Sequence, residues 1–205
     1  MSLFRKLFGH TSSKRDSSQD HSHHSERSKY MPDLHAPADE RFTKNFIING
    51  GRFLYALNMD EVQENFDNIL LENDWYETDA FCFDDQLKDT FKGYNLNFGT
   101  KSDASFFLST CESLVASDGS ILVCSNQLKE LKMHEFPQDL IIFCTTSQIV
   151  NTIGEGLQLI KNRNAGSIPT NITTIKNFEP KEDDKDFMTY GSSTKNLYLL
   201  LLEDL

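Results

Sequence analysis

The run Asp139-Leu-Ile-Ile-Phe-Cys144 constrains this chain more than any other feature of its sequence. Successive side chains of a strand point to opposite faces, so an unbroken apolar run has no face to offer water. A strand buried on both sides belongs inside a mostly parallel sheet covered by helices. Asn196-Leu-Tyr-Leu-Leu-Leu-Leu-Glu203 is a second strand of the same kind. Shorter strands are expected at Phe53–Ala56, Ala80–Phe83, Asn95–Phe98, Leu114–Ala116, Ile121–Cys124 and Asn171–Ile175. Helical patterns lie between them. Asp39 is a reasonable cap for a helix with Phe42, Phe46 and Ile47 on one face, closed by Asn49-Gly50-Gly51. Asn58 with Glu61 forms a capping box before Val62, Phe66, Ile69 and Leu70. Asp84 or Asp85 opens a short helix through Leu87 and Phe91, which Gly93 closes. After Thr145-Thr146-Ser147, a helix places Ile149, Ile153, Leu157 and Ile160 in line. Strands alternating with helices give an α/β fold with a largely parallel sheet, and no internal repeat or second core is visible.

Charge divides the 205 residues into two parts. Residues 1–30 carry six Lys/Arg and three acids, which leaves 14 basic and 28 acidic residues in the remainder. An acidic domain does not supply the Lys/Arg clusters that phosphate backbones require, so no nucleic-acid partner is expected. Gly9 to Lys29 is rich in Ser, His and charge and has no strongly apolar residue. Such a segment cannot bury enough surface to offset its ordering entropy, so residues 1–37 are expected to form a disordered polar tail, with the folded domain over 38–205. Leu3, Phe4, Leu7 and Phe8, with Arg5 and Lys6 between them, make residues 1–8 a candidate contact for a membrane surface or a partner.

Cys82, Cys111, Cys124 and Cys144 form no C-x-x-C pair and read as buried thiols in a reducing compartment. His21, His23 and His24 fall in the tail. No metal or cofactor is expected. Without a long apolar span or a signal-peptide pattern, the sequence points to the cytoplasm.

Three polar segments are candidates for chemistry. Ser117-Asp118-Gly119-Ser120 joins two short strands. Its glycine would let amides approach an anion, with Ser117 and Ser120 as hydroxyl donors and Asp118 as a base; Asp-Gly between strands is equally a hairpin turn. Thr145-Thr146-Ser147 follows the central strand, where ligands of open α/β sheets bind and where helix caps also belong. Tyr190-Gly191-Ser192-Ser193-Thr194-Lys195 precedes the last strand. Ile153-Gly154-Glu155-Gly156 lacks the dinucleotide fingerprint. No G-x-S-x-G accompanies His134, so a hydrolase triad is not expected.

Taken in order, these segments resemble the LUD (lactate-utilisation) domain family over about residues 40–205. The family's I-A-E-T-G-T motif is matched by Val115-Ala116-Ser117-Asp118-Gly119-Ser120 and the strand after it. Its Leu-Pro segment, buried strand and helix are matched by Phe136-Pro137, Leu140–Phe143 and the helix from Ser147. Ile168-Pro169-Thr170 to Ile175, then Tyr190-Gly191-Ser192, occupy the places of its last motifs. The resemblance implies a Rossmann-like three-layer sandwich similar to ribose-5-phosphate isomerases and CoA transferases. It also implies a bacterial, cluster-free component of a multi-protein system oxidising lactate to pyruvate, with iron–sulfur and other subunits as partners. A small carboxylate or phosphorylated ligand would then bind Ser117, Gly119, Ser120, Thr145, Thr146, Gly191 and Ser192, with Asp118 as the one catalytic candidate. The family's acid falls at Ser117 and has moved here to Asp118, and one position along a strand reverses the face. This departure supports a second expectation, a binding or regulatory subunit that kept the fold without the chemistry.

Overall fold

A computed structural model describes residues 36–164, 166–178 and 195–204. The expected tail over residues 1–37 lies almost wholly outside them. Six strands form an all-parallel sheet: β1 (Arg52–Ala56), β2 (Asp79–Phe81), β3 (Asn97–Gly99), β4 (Phe106–Ser109), β7 (Asp139–Thr145) and β10 (Asn196–Leu202). Their order across the sheet is β1-β10-β7-β4-β2-β3. The two apolar runs are the central neighbours β7 and β10, in register from Asp139 opposite Asn196 to Thr145 opposite Leu202. Alternate residues feed two cores, as strands buried on both faces must.

On one face Ile141, Tyr198, Leu200, Phe106 and Leu108 meet α2 (Met59–Asn73) and α3 (Asp85–Thr90). Asn58 accepts the Glu61 amide at 2.9 Å, and Asp84 accepts those of Gln86 and Leu87, so both helices start at their expected caps. On the other face Leu140, Ile142, Leu197, Leu199 and Leu201 meet α1 (Ala38–Ile48) through Phe42 and Phe46. Pro37, not Asp39, stands at the cap position of α1, and no side chain closes it. Asp39 falls in the first turn, where acids suit the helix dipole.

The sequence merges what the chain separates into two sheets. β5 (Ser113–Val115), β6 (Ser120–Val123), β8 (Ile149–Val150) and β9 (Thr173–Ile175) form a second, mixed sheet in the order β8-β5-β6-β9. Its inner face (Leu114, Ile121, Val123, Ile175) joins the core over the parallel sheet. Its outer face (Val115, Leu122, Val150) carries α5 (Ile153–Arg163) through Ile160. The helix expected from Ser147 therefore starts later, because Ile149 and Val150 pair with Leu114 and Val115. Leu157, expected on the buried stripe, is 42% exposed; Gly156 and Ile160 are the buried positions. A Cβ on Gly156 would lie 2.9 Å from Leu122, so that glycine seats the helix on the sheet. α4 (Ser125–Leu128) links β6 to the approach of β7. The whole is a Rossmann-like α/β sandwich, a parallel sheet flanked by helices, with a small sheet inserted on one side. Among the described residues no helix is long and apolar enough to cross a membrane.

Candidate functional site at the carboxyl edge of the parallel sheet

Ser117-Asp118-Gly119-Ser120 closes the β5–β6 hairpin. The Gly119 amide donates to the Val115 carbonyl at 2.9 Å, and Asp118 Oδ1 accepts both the Ser120 amide (3.1 Å) and the Ser120 hydroxyl (2.7 Å). The other carboxylate oxygen of Asp118 lies 3.5 Å from Lys176 Nζ. Helix α1 rests on this turn: Asn45 and Asn49 donate to the carbonyls of Ala116 and Asp118. Gly119 has φ +71°, and a Cβ there would stand 2.4 Å from the α1 backbone. Glycine is therefore required twice, for its left-handed conformation and for the close approach. Ser120 is buried, and of the four only Ser117 is exposed.

A different arrangement occupies the carboxyl ends of β7 and β10. Thr145, Thr146 and Ser147 turn out of β7 in a single 3-10 turn (Thr146–Gln148). Thr146 Oγ1 and the Ser147 amide donate to Oδ1 of Asp204, each at 2.8 Å, and Ser147 Oγ donates to Oδ2 at 2.7 Å. The Asp204 amide returns a bond to Thr146 Oγ1. The turn thus grips one carboxylate with three donors spread over both oxygens. Burial pushes the Asp204 carboxyl up, but the bonds from Ser147, Thr145 and Thr146 outweigh it and hold the group at about 2. Gln148 fixes the turn beneath, accepting the Thr145 amide and donating to the Cys111 carbonyl.

The structure does not bring the two segments together. β8 separates them: Gln148 precedes it, while the Asn151 carbonyl after it accepts the Ser117 amide. Gly191 and Ser192 lie outside the described residues. Lys195, from the same loop, is buried and donates to the carbonyls of Phe136 (2.8 Å) and Pro137 (2.9 Å), which spends it on the chain's own backbone. His134 lines an open hollow with Phe81, Thr100, Ser102, Leu131, Glu135 and Phe136.

Two acids escaped the sequence reading. Asp204 is one; its signal was its place, just beyond the end of the last apolar run. Glu112 is the other, 6% exposed between β4 and β5. Its Oε1 accepts from Asn126 (2.9 Å), Gln127 (3.1 Å) and the Cys124 thiol (3.1 Å), and Oε2 lies 4.0 Å from Arg163. Burial pushes Glu112 up, and these donors more than reverse the effect, so it stays ionised. Glu112 ties α4 and the end of α5 to the second sheet. Among the described residues no group of three or more His, Cys, Asp or Glu side chains is placed to hold a metal ion.

An open parallel sheet with its polar turn at the carboxyl ends of central strands defines the class of protein: a Rossmann-like α/β domain, in which ligands bind at that edge. The profile of the LUD domain family matches residues 97–202, from β3 through β10. The chain belongs to the LUD domain family. A crystal structure of a DUF162 family protein from Deinococcus radiodurans superposes with a TM-score of 0.55 at 12% sequence identity, covering 81% of this chain and 96% of that one. At that identity the likeness is one of fold. No curated protein matches the sequence.

Proposed function

We propose that this chain is a LUD-domain component of lactate or related organic-acid utilisation that recognises a small carboxylate at the Thr145–Ser147 turn. One observation carries the reading: the turn already holds a carboxylate, that of Asp204, with three donors. Ionised groups make the stronger hydrogen bonds, and hydroxyls with a backbone amide supply donors without a fixed charge. Asp204 is exposed at this edge, so an external carboxylate of similar shape competes with it for the same donors. The chain then contributes binding, and oxidation of the acid to a keto acid falls to iron–sulfur and other partner subunits. A second reading is favoured by Asp118. Its Oδ1 is spent on Ser120 and its Oδ2 faces Lys176, so it is tied into the turn and not poised as a base. In that reading the chain is a regulatory subunit. Residues 1–8 would supply the membrane or partner contact in either case, and the four free thiols suit a reducing cytoplasm.

The test titrates L-lactate, pyruvate and inorganic phosphate into the full chain and into Asp204→Ala, following melting temperature and NMR shifts of Thr146 and Ser147. Tighter carboxylate binding to Asp204→Ala supports the proposal. No carboxylate response in either protein overturns it, and a response to phosphate alone reassigns the ligand.

A further inference from the structure

We propose that Cys111 and Cys144 are a modification site, a dithiol that hydrogen peroxide converts to a disulfide beneath the Thr145–Ser147 turn. Ser109 of β4 lies opposite Ile142 of β7, the last pair of that ladder, and Cys111 and Cys144 each follow two residues further along. Neighbouring strands run about 4.8 Å apart, within the Cα separations that disulfides span. Both side chains join the same core cluster, on one face of the sheet; the Cys144 thiol donates to the Leu200 carbonyl at 3.8 Å and has Cys111 as an interacting neighbour. β4 ends at Ser109, so Cys111 sits in the segment connecting β4 to β5, while Cys144 lies within β7. The other two cysteines are committed elsewhere: the Cys82 thiol donates to the Asp84 carbonyl and the Cys124 thiol to Glu112.

The chemistry balances with peroxide as oxidant. The Cys111 sulfur, as thiolate, attacks one peroxide oxygen; the O–O bond breaks, a sulfenic acid forms and the first water leaves. The Cys144 sulfur then attacks that sulfur, the S–S bond forms, the S–O bond breaks and the second water leaves. Two thiols lose two electrons and two protons, and the peroxide takes up both. Cys111 is 4% exposed and Cys144 1%, so Cys111 meets the oxidant and Cys144 resolves it. Burial also pushes the Cys144 thiol up, which slows the reaction relative to an exposed thiol. The Cys111 carbonyl accepts Gln148 Nε2, whose partner oxygen accepts the Thr145 amide, so a shift of Cys111 is felt by the turn.

The test exposes the full chain to hydrogen peroxide, blocks remaining thiols and digests without reductant. Trypsin leaves Cys111 and Cys124 on one peptide between Lys101 and Lys129, so Cys124→Ser makes the assignment unique. The expected result is a joined Cys111–Cys144 peptide lighter by two hydrogens, in most chains, reversed by dithiothreitol. In Cys144→Ser, Cys111 should instead accumulate as sulfenic acid that dimedone traps. The Cys82→Ser/Cys124→Ser double variant should oxidise as the parent does, which keeps the test decisive should Cys144→Ser fail to fold. Overturning results are a folded chain whose Cys111 and Cys144 remain thiols, pairing scattered among all four cysteines, or cross-linking that needs urea.

Discussion

Replacing Gly119 with alanine separates a turn that builds the fold from a turn that binds a ligand. The new Cβ would meet the α1 backbone at 2.4 Å, and backbone cannot rotate away as a side-chain tip can. A left-handed conformation costs a residue with a Cβ about 1–2 kcal/mol. Lifting α1 to make room strains the Asn45–Ala116 and Asn49–Asp118 bonds, each worth about 1 kcal/mol. It also disturbs Phe42 and Phe46, both fully buried, and such misfits in a packed core cost about 1–3 kcal/mol. Together these put Gly119→Ala at about 3–6 kcal/mol, a large part of the 5–15 that hold a domain of this size folded. With a urea dependence of about 2 kcal/mol per molar, the unfolding midpoint should fall by about 2 M. Gly93→Ala is the control: nothing lies within 4 Å of its Cβ, and the midpoint should barely move. Urea unfolding followed by circular dichroism reads both. If Gly119→Ala unfolds within about 0.3 M of the parent, α1 is not seated on the turn and the structural role assigned to it is wrong.

Asp204 gives a pH prediction with a defined sign. Its folded carboxyl sits at about 2, below the ordinary value of 3.8, so its contribution is complete above pH 3.8 and fades as pH falls toward 2. The stability gap between the parent and Asp204→Asn should therefore close over that window; a gap that is flat with pH refutes it. Glu112→Ala removes the acceptor shared by Asn126, Gln127 and the buried Cys124 thiol and should cost about 1–3 kcal/mol by urea unfolding, with Glu112→Gln costing less. Burial pushes the thiols of Cys82 and Cys124 up to about 11, so a disulfide reagent at pH 8 should label them only as fast as the chain unfolds. Rapid labelling of either in the folded chain would count against the packing described.

The parallel sheet was legible because β7 and β10 are apolar on both faces, a pattern few other structures accommodate. The caps at Asn58 and Asp84 were legible because they are local chemistry, settled within three residues of chain. The second sheet was not, since β8 is two residues long and exists only because β5 lies alongside it. Ile149, Ile153, Leu157 and Ile160 match a helical stripe by spacing, yet pairing across the chain took the first of them into a strand. The candidate site was half legible. Thr145 and Thr146 stand at the edge where the topology places them. Their partner Asp204, 58 residues from Thr146, could be found only once β10 was laid beside β7. Asp118 read as a base or as a turn; the hydrogen bonds to Ser120 and the press of α1 give it the work of a turn.

The place of β10 has a consequence for how the chain is made. The strand formed by residues 196–202 lies between β1 and β7, so a ribosome must deliver residue 202 before the middle of the sheet can close. Until then β1 has no neighbour and β7 shows a bare apolar edge, open to pairing with another nascent chain. Joining residues so far apart in sequence is slow, because the loop must be ordered before the contact repays it. Chains stopped short of residue 196 should collect in aggregates or on chaperones, and their release should coincide with synthesis of that one strand.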